Sequence, residues 1–160
     1  MSDKFEFIGA DDRPALLAFS TPDWLDAARL AALELGYKVH TAATHSDFLI
    51  RFSQFRYEVV IVEELFAANS MAENATLATL QSMPMNQRRH AAIILFGTSF
   101  QTFTPMQAFQ QSVHAVVNRE ELALLGPNIL GPIVQRVVAD NDLFLNVYRD
   151  SQLRMAQGKV

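Results

Sequence analysis

The chain has 160 residues, 50% hydrophobic and 19% charged, with a formal net charge of −4 and no cysteine. That length fits a single domain of about 100–150 residues, able to bury about 70% of its unfolded surface. The apolar content excludes a disordered chain, the acidic balance excludes the basic footprint of a nucleic-acid binder, and the missing cysteines exclude disulfides, thiolate metal sites, a cysteine nucleophile and iron–sulfur clusters.

The start, Met1-Ser2-Asp3-Lys4-Phe5-Glu6-Phe7, has no apolar signal-peptide core. No stretch reaches the roughly 18 uncharged apolar residues of a membrane span. A cytoplasmic protein without membrane association is expected.

Two apolar patterns alternate along the chain. A buried strand is predicted over residues 15–19, after a solvated turn at Asp11-Asp12. The first helix follows: Thr21 can cap it, Pro22 suits its first position, and Asp23 complements its dipole. Leu25, Ala28, Ala32 and Leu35 share a face, and Gly36 supplies the left-handed stop. A strand is predicted over 38–42, then a helix from near Ser46 with Phe48, Leu49, Phe52 and Phe55 on its apolar side. Next come a strand over 59–62, a helix over 75–83 ending near Pro84, and a strand over 92–96. Arg88-Arg89 is expected to solvate the loop before that strand. Thr104-Pro105 opens a helix carrying Met106 and Phe109, and a strand is predicted over 115–117. The last helix starts between Pro127 and Pro132 and runs toward Ala156, with Gly126-Pro127 and Gly131-Pro132 as turn punctuation.

Strand–helix alternation implies a parallel sheet covered on both faces, with right-handed crossovers. Five units point to an α/β, flavodoxin-like, doubly wound sheet of order 2-1-3-4-5, whose crevice lies at the carboxyl ends of the strands. Residues 1–139 form that domain, and 140–160 extend its last helix.

Two passages carry a family likeness. Leu35-Gly36-Tyr37-Lys38-Val39-His40-Thr41-Ala42-Ala43 resembles the passage from first helix to second strand in bacterial response-regulator receiver domains, and Tyr57-Glu58-Val59-Val60-Ile61-Val62-Glu63 resembles their third strand. The resemblance covers about residues 14–138 and implies the CheY-like form of the fold. A working receiver takes a phosphoryl group from a histidine kinase onto an Asp after the third strand. Acidic residues there and after the first strand hold Mg²⁺ through oxygen ligands. A Lys after the fifth strand offsets phosphoryl charge, and a Ser or Thr after the fourth switches conformation.

This chain departs from that pattern. Phe19-Ser20 stands where the acidic pair belongs, Glu63 takes the acceptor position, Thr98 is the nearest switch hydroxyl, and Asn118-Arg119 replaces Lys-Pro. The resemblance therefore implies a degenerate receiver (a pseudo-receiver) with no Mg²⁺, no phosphorylation, no cofactor and no enzymatic activity. Glu63 has two readings: a permanent carboxylate mimicking the phosphorylated state, or a solvated strand-end carboxylate paired with Arg119.

His40, His45, His90 and His114 show no zinc spacing, and no GxSxG, Walker A or GxGxxG motif occurs. The family's partner surface is made by its fourth helix, fifth strand and fifth helix. Phe100, Phe103 and Phe109 fall in that region as candidate contacts, since interface centres are rich in aromatics.

The tail is the clearest clue from the residues themselves. Past residue 139 the helical pattern continues without Gly or Pro to Met155; Leu130, Ile133, Val137, Phe144, Val147 and Tyr148 lie roughly on one stripe that polar positions 140 and 141 break, and Leu143, Phe144, Val147, Tyr148 and Leu153 are the apolar residues of the extension. A helix projecting alone is marginal in water, so this stripe calls for a surface, and a two-fold homodimer is the commonest solution. The expected function is phosphorylation-independent signalling or adaptor activity through protein partners. The alternative is a small-molecule sensor whose crevice is lined by Ser20, Thr21, Glu63, Thr98 and Asn118.

Overall fold

A computed structural model describes residues 7–121 and 130–158, with the side chains of all but 144–146, 148, 149 and 152. Gly126-Pro127 and the side chains of Phe144 and Tyr148 lie outside the described residues. The short apolar runs become β1 (Arg13–Ala18), β2 (Tyr37–Ala42), β3 (Val59–Glu63), β4 (Ala92–Gly97) and β5 (Ala115–Asn118). They pair in parallel in the order β2-β1-β3-β4-β5, the flavodoxin-like topology expected. Leu17 faces Thr41 and Ile61, Ile61 faces Ile94, and Phe96 faces Val117. This register brings the ends of β1, β3, β4 and β5 to one edge.

Alternate strand residues point to opposite faces of the sheet, so two cores form. Leu17, Ile61, Ile94 and Val117 pack against α1 (Pro22–Glu34) and α6 (Leu130–Ala156). On the other face Leu16, Val60, Val62 and Ile93 meet Phe48 and Phe52 of α2 (His45–Gln54) and Leu80 of α3 (Ala75–Ser82), and Leu95 and Val116 meet Ala108 of α5 (Pro105–Gln110). A 3₁₀ turn, Met71–Glu73, precedes α3, and a single helical turn, α4 (Met85–Arg88), follows it.

Local chemistry sets the helix ends. Thr44 Oγ1 accepts from the Asp47 amide and Asn74 Oδ1 from the Leu77 amide, satisfying donors that helix starts leave open. Gly36 ends α1 at φ 86°, a conformation that costs a side-chain-bearing residue energy.

Two expectations are corrected. Arg88 does not solvate a loop: it is buried, and its guanidinium donates to the carbonyls of Leu80 and Ser112, both at 2.6 Å. Those carbonyls end α3 and precede β5, and interior carbonyls need donors. Asn141 does not interrupt the apolar stripe. It is 8% exposed; its Oδ1 accepts from His114 Nε2 at 3.1 Å and its Nδ2 donates to Arg89 O at 3.2 Å. His114 Nδ1 accepts from the Ile93 amide, which fixes the proton on Nε2. α6 is thus pinned two residues beyond the expected domain boundary, inside one continuous helix of 27 residues. Beyond that pin Leu143, Val147, Leu153 and Met155 are exposed. Among the described residues no helix is long and apolar enough to cross a membrane.

Candidate functional site

The run Val59-Val60-Ile61-Val62 is buried on both faces of the sheet and delivers Glu63 and Glu64 to the carboxyl edge. Both glutamates are nearly closed to solvent, 3% and 4% exposed. A buried carboxylate needs charge-assisted partners, and each has found different ones.

Glu63 turns onto the start of α1. Its Oε2 accepts from the Ser20 amide at 2.5 Å and the Thr21 amide at 3.1 Å, and its Oε1 accepts from Thr21 Oγ1 at 2.6 Å. The anion sits at a helix N-terminus, where free amides and the macrodipole favour negative charge. Thr21 is the N-cap of α1 but caps no amide with its own oxygen; its amide and hydroxyl are both given to the glutamate from β3. The group is therefore not the solvated strand-end carboxylate of one sequence reading. Arg119 lies instead with its guanidinium carbon 3.9 Å from the centre of the Trp24 ring, a cation–π arrangement.

Glu64 folds back over β4. Its Oε1 accepts from the Thr98 amide at 2.7 Å and from Thr98 Oγ1 at 3.1 Å. The side chain crosses Gly97 so closely that a Cβ there would lie 2.4 Å from the Glu64 carboxyl carbon. The glycine at this position leaves room for the glutamate. Asn74 ties the segment down, its Nδ2 donating to the carbonyls of both Glu63 and Glu64 at 3.1 Å.

The other site positions are also engaged. Ser20 Oγ accepts from the Ala67 amide at 2.7 Å. Asn118 Nδ2 donates to Phe100 O at 2.6 Å, and its Oδ1 accepts from the amides of Glu120 and Glu121. Phe19 is buried edge-on against Phe96, centroids 5.5 Å apart, and Phe96 meets Trp24 in the same way. An aromatic wall therefore stands where the receiver pattern has its upstream acids. Ser20, Thr21 and Glu63 are brought into one hydrogen-bonded group; Thr98 joins Glu64 instead; Asn118 and Arg119 join neither carboxylate through these bonds. The five polar groups assigned to a ligand crevice all spend hydrogen bonds on the protein itself. Among the described residues no group of three or more His, Asp or Glu is placed to hold a metal ion.

Sequence reasoning missed Glu64, Asn74 and Trp24. The signal for Glu64 was the small Gly97 closing an otherwise bulky apolar strand.

The candidate partner surface separates into two parts. Phe100 is not on it: the ring is 6% exposed and belongs to the core with Leu77, Leu95 and Val116. Phe103 and Phe109 are exposed, Phe109 by 80%. A cavity of about 510 Å³ lies beside Phe103, between α5 and the Arg136–Asn141 stretch of α6.

No protein-family model and no curated protein sequence matches the chain. Solved structures do match in shape. NtrX from Brucella abortus, determined with ADP, matches over 93% of this chain with a TM-score of 0.68 at 15% identity, but this chain spans only 30% of NtrX. The chemotaxis response regulator CheY4 of Vibrio cholerae matches over 79% of this chain and 98% of its own, with a TM-score of 0.61 at 16% identity. The receiver domain of the sensor histidine kinase PA1611 from Pseudomonas aeruginosa, determined with magnesium in its active-site cleft, matches over 80% of this chain and 98% of its own, with a TM-score of 0.60 at 16% identity. At these identities the likeness is one of fold, and the fold is that of a response-regulator receiver domain.

Proposed function

We infer that the chain is a degenerate receiver that signals without phosphorylation, as an adaptor working through protein partners. The observation that carries this reading is the engagement of Glu63. Its carboxylate accepts two backbone amides and a hydroxyl at the start of α1, so an attack on a phosphodonor would first have to break charge-assisted bonds worth about 1.5–3 kcal/mol each. The neighbouring positions Phe19 and Ser20 bring no carboxylate to share a cation with it. The exposed rings of Phe103 and Phe109 support α5 and the adjoining α6 as the surface for a partner protein.

Incubating the protein with acetyl phosphate and Mg²⁺, then weighing it intact, tests the reading. The expected result is an unchanged mass. A phosphoryl adduct on Glu63 or any neighbouring residue of the crevice overturns it.

A further inference from the structure

At the opposite, amino-terminal edge of the sheet, a cavity of about 500 Å³ opens between the end of α2 and the segment running from Met83 through α4 to His90. That volume is in the range of small-molecule sites. Its apolar part includes Phe52 and Phe55, and its polar part Arg56, Asn86 and Gln87. Among the described residues no carboxylate lines it, although acidic residues outnumber basic ones in the chain, 17 to 13. His90 closes it. The imidazole stacks on Phe52 with centroids 5.5 Å apart and planes 30° apart, and Phe52 stacks in turn on Phe48. Both ring nitrogens of His90 are closed to solvent, and neither has a hydrogen-bond partner. A neutral imidazole always carries one N–H, so a donor without a partner lies behind the wall of a cavity whose one fixed cation, among the described residues, is Arg56.

We propose that this cavity binds a small aromatic carboxylate, the ring lying against the Phe52 and His90 rings and the carboxylate meeting Arg56 and the neighbouring side-chain amides. Four features argue for that class together: aromatic walls, a guanidinium, amide donors, and no anion to repel the acid group. The site is separate from the crevice around Glu63, and its ligand would bear on α2 and α4 rather than on the carboxyl edge.

The test is a titration of the full ¹⁵N-labelled chain with indole-3-acetate, followed by amide shifts, with the uncharged indole-3-acetamide as control. Saturable shifts confined to residues 49–56 and 83–90 are expected, with the amide binding at least about tenfold more weakly, the cost of losing one charge-assisted bond. Arg56 is exposed, so Arg56→Glu should keep the native spectrum and weaken indole-3-acetate by a similar factor. The proposal is overturned if millimolar indole-3-acetate gives no saturable shifts there, if the amide binds equally well, or if Arg56→Glu leaves the affinity unchanged.

Discussion

Glu63 and Glu64 are adjacent in sequence and alike in burial, yet each holds a different neighbour in place. Substituting Glu63→Gln keeps the shape but removes the charge and aims an amide NH₂ at donors. The loss should be about 1–3 kcal/mol, read from urea unfolding, and Glu63→Asp should lose at least as much because its shorter arm falls short of the Ser20 and Thr21 amides. Equal stability in all three proteins would remove this anchoring role. Glu64 predicts a coupling instead. Gly97→Ala should destabilise the fold by forcing the Glu64 carboxylate off Thr98, and should cost less in a Glu64→Ala background where nothing crosses the glycine. Strict additivity in that double-mutant cycle would contradict the packing described. His90 sets a third expectation. Burial, and then the charge of Arg56, press its pKa from 6.5 down to about 4, so the unfolded chain takes up the proton first. The stability of the neutral ring is complete above pH 6.5 and is lost as pH falls toward 4. His90→Leu should flatten this part of the pH dependence of the urea midpoint; parallel curves for the two proteins would refute it.

At the scale of elements, most of the fold was readable in the sequence because its signals are local. Pro22, Gly36 and the Val/Ile runs each state their structure within a few residues. What could not be read was the choice of partner across the chain. Nothing near Thr21 says that its neighbour is a carboxylate 42 residues away, and nothing near Arg88 says that Leu80 and Ser112 offer it carbonyls. The short α4 escaped the periodicity argument because one turn has no repeat to detect. Phe100 was misplaced for a related reason: a loop ring carries no period to say that it points inward. Asn141 is the sharpest case, since a polar residue in an apolar stripe reads as an interruption until His114 and Arg89 are brought beside it. Asn141→Ala would remove the acceptor of the His114 N–H and one donor to the Arg89 carbonyl. A loss of about 1–3 kcal/mol is expected, with faster hydrogen exchange confined to the lower half of α6 and the start of β4. Unchanged exchange along α6 would show that the apolar contacts alone hold the helix.

For the whole molecule, the balance of contacts along α6 matters most. One face of its first half is buried, at Leu130, Ile133, Val134, Val137, Val138 and Asn141, while Leu143, Val147, Leu153 and Met155 beyond the pin are exposed. The stretch from Asp142 to Ala156 is 15 residues, about 22 Å of helix at 1.5 Å per residue. A lone helix of that length is marginal in water, and these exposed apolar side chains favour association. We propose a second copy of the chain as the occupant. A two-fold axis makes one stripe complementary to itself, so two copies crossing antiparallel would cover the exposed side chains of both. Cutting the chain after Asp142 keeps the Asn141 pin and removes the stripe. Light scattering should then give the mass of one chain for the truncated protein and of two for the full one, with Leu143→Glu combined with Val147→Glu reproducing the truncation. A full-length chain that scatters as a monomer at high concentration would contradict the pairing and leave the phosphorylation test of Glu63 unaffected, because the two ends of the sheet carry the two claims independently.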